Sequence, residues 1–112
     1  MNEEKKSDII ELSGIISRSF SQISPGFLLT ESDIKSIEEL KKYLSAQIKI
    51  FLDDKYDLLI NMLYRIDIDD KKIEEVFSKV KREDIPDSIA SLIIERQLRK
   101  IHYRKMYKEG NL

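Results

Sequence analysis

An all-α fold, a compact bundle of four to five helices, is what this 112-residue sequence predicts. Three observations lead to it. The composition favours helix over strand, with 41% hydrophobic and 37% charged residues, rich in Leu, Ile, Lys and Glu, and only three glycines and two prolines. Apolar residues recur at steps of three and four along most of the chain, the spacing of one helical face. Breaks separate those stripes: SPGF at 24–27, the aspartate pair at 53–54 and KREDIPDS at 81–88. At this length residues 1–112 make one helical domain, large enough for a single core to bury well over half the surface of the unfolded chain.

The first stripe is Ile9, Leu12, Ile16, Phe20 and Ile23, which predicts a helix over about residues 7–21 ended by SPGF. Its polar side is mostly serine, an indifferent helix former. Residues 1–30 read as an N-terminal extension that packs either on the bundle or on a partner. The second stripe, Ile34, Ile37, Leu40, Leu44, Ile48 and Phe51, predicts a second helix whose start is capped by Ser36 with Glu39 or by Thr30 with Asp33. Leu52, Tyr56, Leu59, Leu63 and Ile66 continue that stripe through Asp53 and Asp54. A break is the favoured reading, with Asp54 as N-cap and Asp57 in the first turn, where carboxylates suit the positive end of the helix dipole. One long, bent helix over 34–66 is the alternative.

DLLINMLYRI is apolar nearly all round, which assigns the third helix, about 54–67, to the centre of the bundle. Asn61 and Arg65 must then find partners or reach an edge. A fourth helix over about 69–81 has Asp69 as N-cap, with Ile68 and Ile73 placed as a hydrophobic staple, and buries Ile73, Val76, Phe77 and Val80. Pro86 fits the first turn of a fifth helix over 86–108. Its first half, with Ile89, Leu92, Ile93 and Ile94, is expected to be buried on every side, making 54–67 and 86–108 the central helices. Beyond Glu95 the apolar positions shrink to a seam of Ile94, Leu98 and Ile101, and the helix emerges from the core.

That emerging end is RQLRKIHYRKMYK, residues 96–108, with six of the 20 Lys and Arg and none of the 21 Asp and Glu. The other 99 residues hold 14 cations against 21 acids, a charge of −7. Arg96, Lys100, Arg104 and Lys108 follow one another at i, i+4, and Arg99, Tyr103 and Tyr107 widen the same face. Cations that grip phosphates beside tyrosines that stack on bases describe a single-stranded nucleic-acid surface. Cations in the last turns of a helix are also favoured by its dipole, tyrosines suit the rim of a helix contact, and the acidic body is a ready counterpart. With a pI near 5.9 the chain lacks the basic balance of a dedicated nucleic-acid module, so the structural or protein-partner reading is preferred.

Catalytic, metal and cofactor chemistry lack their parts. Without cysteine there are no disulfides, thiolate nucleophiles or cysteine zinc sites. IDIDD resembles the start of a calcium loop, but an EF-hand from Asp67 needs Gly at 72 and Glu at 78, where Lys72 and Ser78 stand. His102 is the sole histidine, Glu74 and Glu75 diverge on a helix, and Gly14, Gly26 and Gly110 form no phosphate loop. No enzyme activity, cofactor, metal or small-molecule ligand is expected. MNEEKKSDII lacks the apolar run of a signal peptide and no stretch reaches the ~18 unbroken apolar residues of a membrane span. A cytoplasmic protein without membrane contact is the expectation.

Two stretches, LLINMLYRIDIDDKKIEEVF at 58–77 and ASLIIERQLRKIHYRKMY at 90–107, resemble the core of small all-helical bacterial proteins of uncharacterised function. Those proteins carry an LLYRID segment, a short helix and an LIIERQL segment. Here NMLYRI at 61–66 precedes Asp67, and LIIERQL occupies 92–98. The resemblance covers about residues 40–107 and implies no activity, ligand or cofactor. It draws attention to Arg65, Asp67, Glu95 and Arg96, charged residues beside apolar ones, and to a structural network pairing Arg65 with Glu95 and Arg96 with Asp67. The function expected is protein-protein interaction, by self-association or as an adaptor. The alternative is a nucleic-acid-binding accessory protein acting through Arg96, Arg99, Lys100, Tyr103, Arg104, Tyr107 and Lys108.

Overall fold

A computed structural model describes residues 3–23 and 36–108, with side chains from residue 8 onward. Within them the chain forms α1 (Glu3–Phe20), α2 (Ile37–Asp54), α3 (Tyr56–Arg65), α4 (Asp70–Lys79) and α5 (Ile85–Lys108), and a 3-10 turn, Arg82–Asp84, leads into α5. No strand occurs among the described residues, and the bundle measures 41 × 31 × 25 Å.

The apolar stripes set the packing. α2 and α5 share the most extensive contact, and α1 and α4 also lie against α5. Leu40, Leu44, Ile48 and Phe51 from α2 meet Ile89, Ala90, Ile93, Ile94 and Ile101 from α5 in one buried cluster. In the first half of α5 Ile89, Ile93 and Ile94 are buried as expected, but burial is not complete on every side: Leu92 is half-buried and lines surface clefts, because α5 turns that face toward solvent beside α4. Leu98 and Gln97 carry the covered face onward. α1 brings Leu12, Ile16 and Phe20 into the same cluster, with Ile23 just beyond its end, and Phe20 stacks on Phe51 with ring centroids 5.4 Å apart. Of the two alternatives for the N-terminal extension, α1 therefore takes the bundle. Residues 24–30 and the Thr30–Asp33 cap lie outside the described residues.

Helix ends follow local chemistry. Ser36 caps α2 by accepting from the Glu39 N–H at 3.1 Å. The helices do break after Asp54, but the cap differs from the expected one. The Lys55 N–H still bonds the Phe51 carbonyl at 2.7 Å, which carries α2 through Asp54 and makes Lys55, at φ −141°, the hinge residue. Lys55 does not cap α3 with its side chain; its Nζ donates instead to the Ile23 carbonyl at 3.1 Å and ties the end of α1 to the joint. Asp57 sits in the first turn as expected.

α4 starts as the sequence indicates. Asp69 Oδ1 accepts from the Lys71 N–H at 2.9 Å, and Ile68 and Ile73 are both buried as a staple. The helix ends at Lys79, two residues short of expectation, because Val80 turns to an extended conformation.

Between α3 and α4 the chain makes a Schellman turn. The Ile68 N–H bonds the Leu63 carbonyl at 3.0 Å and the Asp67 N–H bonds that of Tyr64 at 3.1 Å, while buried Leu63 and Ile68 supply the apolar contact usual there. Asp67 occupies the left-handed position at φ +67°, where glycine is the commoner residue.

α3 corrects the expectation of a helix buried all round. Leu59, Met62 and Leu63 are fully buried, but Leu58 and Tyr64 are about half exposed, at 48% and 47%, and Asn61 and Arg65 face solvent. Asp57, Asn61 and Arg65 recur one turn apart down a single stripe, and covering them without partners would cost more than the apolar neighbours gain. The helix therefore buries one face, against α2.

Leu63 and Ile93 are both fully buried in the shared core. Leu63→Ala and Ile93→Ala are each expected to cost roughly 2 to 5 kcal/mol in a denaturant titration, the range for emptying a packed site of a large aliphatic side chain. A neutral result at either position would contradict the packing described.

Candidate functional site

The last turns of α5 rise past the α3–α4 corner and along α1, and their cations meet acids of the same chain. Lys100 Nζ donates to Asp67 Oδ2 at 3.0 Å and to the Ile66 carbonyl at 3.3 Å, and Gln97 Nε2 donates to that carbonyl at 3.4 Å. Ile66 is the C-cap of α3, so a cation lies at the negative end of that helix. The hydrogen bond from Lys100, then its charge and more distantly that of Arg96, hold the Asp67 carboxyl below its ordinary value. Because both partners are solvated, the ion pair by itself adds little stability.

A second tie joins α5 to α1. Asp8 is buried, with Lys105 Nζ 2.5 Å from its Oδ1 and His102 Nε2 3.0 Å from its Oδ2. The His102 ring donates this bond when Nε2 carries its proton. Arg104 Nη1 lies 3.3 Å from Glu11 Oε2 beside it. Burial alone would push the Asp8 carboxyl up; hydrogen bonds from Lys105 and His102, and their charges, outweigh it and bring it below its ordinary value. This arrangement can hold a carboxylate ionised inside the bundle. His102 and Lys105 share the Asp8 carboxylate and clamp α5 to α1.

The basic face is therefore divided. Lys100, Arg104 and Lys105 are neutralised within the chain, whereas Arg99, Tyr103, Tyr107 and Lys108 face solvent, Tyr107 being 73% exposed. Arg96 is half-buried and forms no ion pair among the described residues. With Asp67, Glu95 and Arg99 it lines a cleft of about 200 Å³.

The expected charge network is replaced. Asp67 takes Lys100, one turn beyond Arg96, because the left-handed turn directs it toward that part of α5. Arg65 lies on the outer stripe of α3 and makes no ion pair with Glu95. Asp8 and Glu11 were missed. Their signal was present in Asp8, Leu12 and Ile16, where a carboxylate stands at i, i+4, i+8 with core residues.

A second surface emerges from the one-sided burial of α3. Tyr56, Ile60 and Tyr64 face Phe77 and Ile73 of α4 across an open groove of about 710 Å³, rimmed by Lys71, Glu74 and Glu75. The Tyr56 and Phe77 rings meet edge to face at 5.9 Å, and both also line a neighbouring hollow with Leu52, Val80, Ile85 and Pro86.

Among the described residues no cluster of three or more His, Asp or Glu is arranged to hold a metal ion, and Asp69 and Asp67 are engaged in the cap and the ion pair. No described helix is long and apolar enough to cross a membrane. No protein-family model, curated protein or solved structure matches the chain.

Two variants check these ties. Asp8→Asn is expected to lower stability by roughly 1 to 3 kcal/mol at pH 7, since it removes charged hydrogen bonds from a buried group. Asp8 titrates lower folded than unfolded, so its contribution is fully present above the ordinary value and is lost as pH falls through the depressed one. The gap between parent and variant in denaturant titrations should accordingly hold down to about pH 5 and close below about pH 4. At the corner, Asp67→Gly should melt at or above the parent temperature, since it relieves the left-handed backbone and loses only a solvated pair, while Asp67→Ala should melt below it. Equal melting temperatures for the two would contradict that account.

Proposed function

We propose that this chain is a protein-protein interaction module and not an enzyme, and that it docks partners on the side where α3 meets α4. One observation carries the reading: half-exposed Tyr56 and Tyr64 line a groove together with Ile60, Ile73 and Phe77, with charged residues at its rim. An apolar, aromatic centre with a polar border is the composition of a docking surface.

The nucleic-acid alternative has less support. Half of the six cations in 96–108 are paired with Asp8, Glu11 and Asp67, leaving Arg99 and Lys108 as the fully exposed ones. Phosphate binding would have to displace those carboxylates or rely on the remainder, in a body that otherwise repels polyanions. Cytoplasmic location and kinship with the proteins bearing LLYRID and LIIERQL belong to the same proposal and add no activity to it.

Tyr56 lines both hollows and is 47% exposed, so Tyr56→Lys puts a charge in the groove with little cost to the fold. Partners captured by the parent should be lost by Tyr56→Lys and retained by Arg99→Gln/Lys108→Gln. The parent should bind single-stranded RNA no tighter than about 1 µM at about 150 mM salt. Submicromolar binding abolished by Arg99→Gln/Lys108→Gln would reverse the order of the two readings.

A further inference from the structure

We infer that a second copy of this chain docks on the outer stripe of α3, antiparallel, with Asn61 on the two-fold axis. The inference rests on the reading of the chain as an interaction module and places a second copy on a face of α3 beside the groove.

The stripe is palindromic in chemistry. Around Asn61, the residues three positions away are Leu58 and Tyr64, and those four positions away are Asp57 and Arg65. At 3.6 residues per turn all four lie within about 60° of Asn61. All five are exposed, and neither Asp57, Asn61 nor Arg65 has a side-chain hydrogen bond or ion pair among the described residues. The Lys100, Arg104 and Lys105 side chains of α5 meet acids of the same chain, whereas this Asp and this Arg, two turns apart on one helix, cannot reach each other.

A two-fold contact requires a surface that complements itself. Crossing α3 over its copy at Asn61 sets Asp57 against the partner's Arg65 and Arg65 against the partner's Asp57. Each pair stands about 6 Å along the axis from the dyad, within reach at usual helix separations. Leu58 meets the partner's Tyr64 on either side of the centre, and the two Asn61 amides face each other as donor and acceptor. A parallel arrangement would oppose like charges, so orientation is fixed as well. The helix has only ten residues, about 15 Å, so the contact falls below a standard interface and the dimer should be weak, with a dissociation constant of about 10 µM to 1 mM.

Sedimentation equilibrium of the parent from about 10 µM to 1 mM at low salt should show a reversible dimer that weakens as NaCl approaches about 0.5 M. Asp57→Arg alone and Arg65→Asp alone oppose like charges in both pairs and should stay monomeric, with circular dichroism confirming the fold. An equimolar mixture of the two single variants should recover dimer, because each then meets opposite charge on the other chain, and the double variant Asp57→Arg/Arg65→Asp should dimerise like the parent. A parent monomeric at 1 mM overturns the inference, as do single variants that dimerise unchanged or a mixture that stays monomeric. Dimer lost in Tyr56→Lys but kept in both charge variants would also overturn it, and would leave groove docking standing. Loss of captured partners in Tyr56→Lys tests that reading separately.

Discussion

The burial of α5 along α2 is the contact to which the other elements adjust. α5 has 24 residues and α2 has 18, lengths of about 36 and 27 Å, so α5 extends beyond the helix that covers it. Its first half can be apolar almost all round because α2, α4 and the 3-10 turn surround it. Its last turns have an apolar seam, Ile101 above all, that needs another cover, and α1 provides it with Leu12 and Ile16. The carboxylates of Asp8 and Glu11 come with that face and meet the cations beyond the seam. The same helix fixes the α3–α4 corner, where Gln97 and Lys100 engage the Ile66 carbonyl.

This arrangement changes what the concentration of positive charge means. Six cations without an acid in a 13-residue stretch describe an anion-binding surface while the stretch is considered alone. Folding places three of them against carboxylates of the acidic remainder, one of which is buried. Lys105 and His102 outweigh the cost of burying the Asp8 carboxylate. Those cations are consequently part of the fold's stability, and electrostatic attraction for a polyanion is weakened at the same place.

The surface that remains open lies on the opposite logic. α3 gives one stripe to the core and keeps tyrosines, Leu58 and polar residues outside. Two features of α3 follow from its short length and the hinge at Lys55: it contacts α2 along one face, and its separation from α4 leaves Tyr56 and Phe77 bordering a groove. The bundle gains nothing by leaving half-exposed aromatic side chains beside an apolar trough, which is the observation that favours the proposed binding role.

Interactions between residues within a turn or two of one another were legible in the sequence: the all-α class, the Ser36 cap, the break near Asp54, the Asp69 cap with its Ile68–Ile73 staple, and the buried stripes of α1, α2 and the first half of α5. Periodicity and capping are local, and local chemistry is written in consecutive residues. Tertiary structure decided the rest. Asp8 and Lys105 are 97 positions apart, Asp67 and Lys100 are 33, and no spacing rule connects them; the Arg65–Glu95 and Arg96–Asp67 pairs were equally consistent with the sequence and did not form. Nor does composition reveal which side of an apolar helix will be covered, since DLLINMLYRI offers apolar residues on both. Only the placement of α2 and α5 selected Leu59, Met62 and Leu63 for the core and left Leu58, Asn61 and Tyr64 outside.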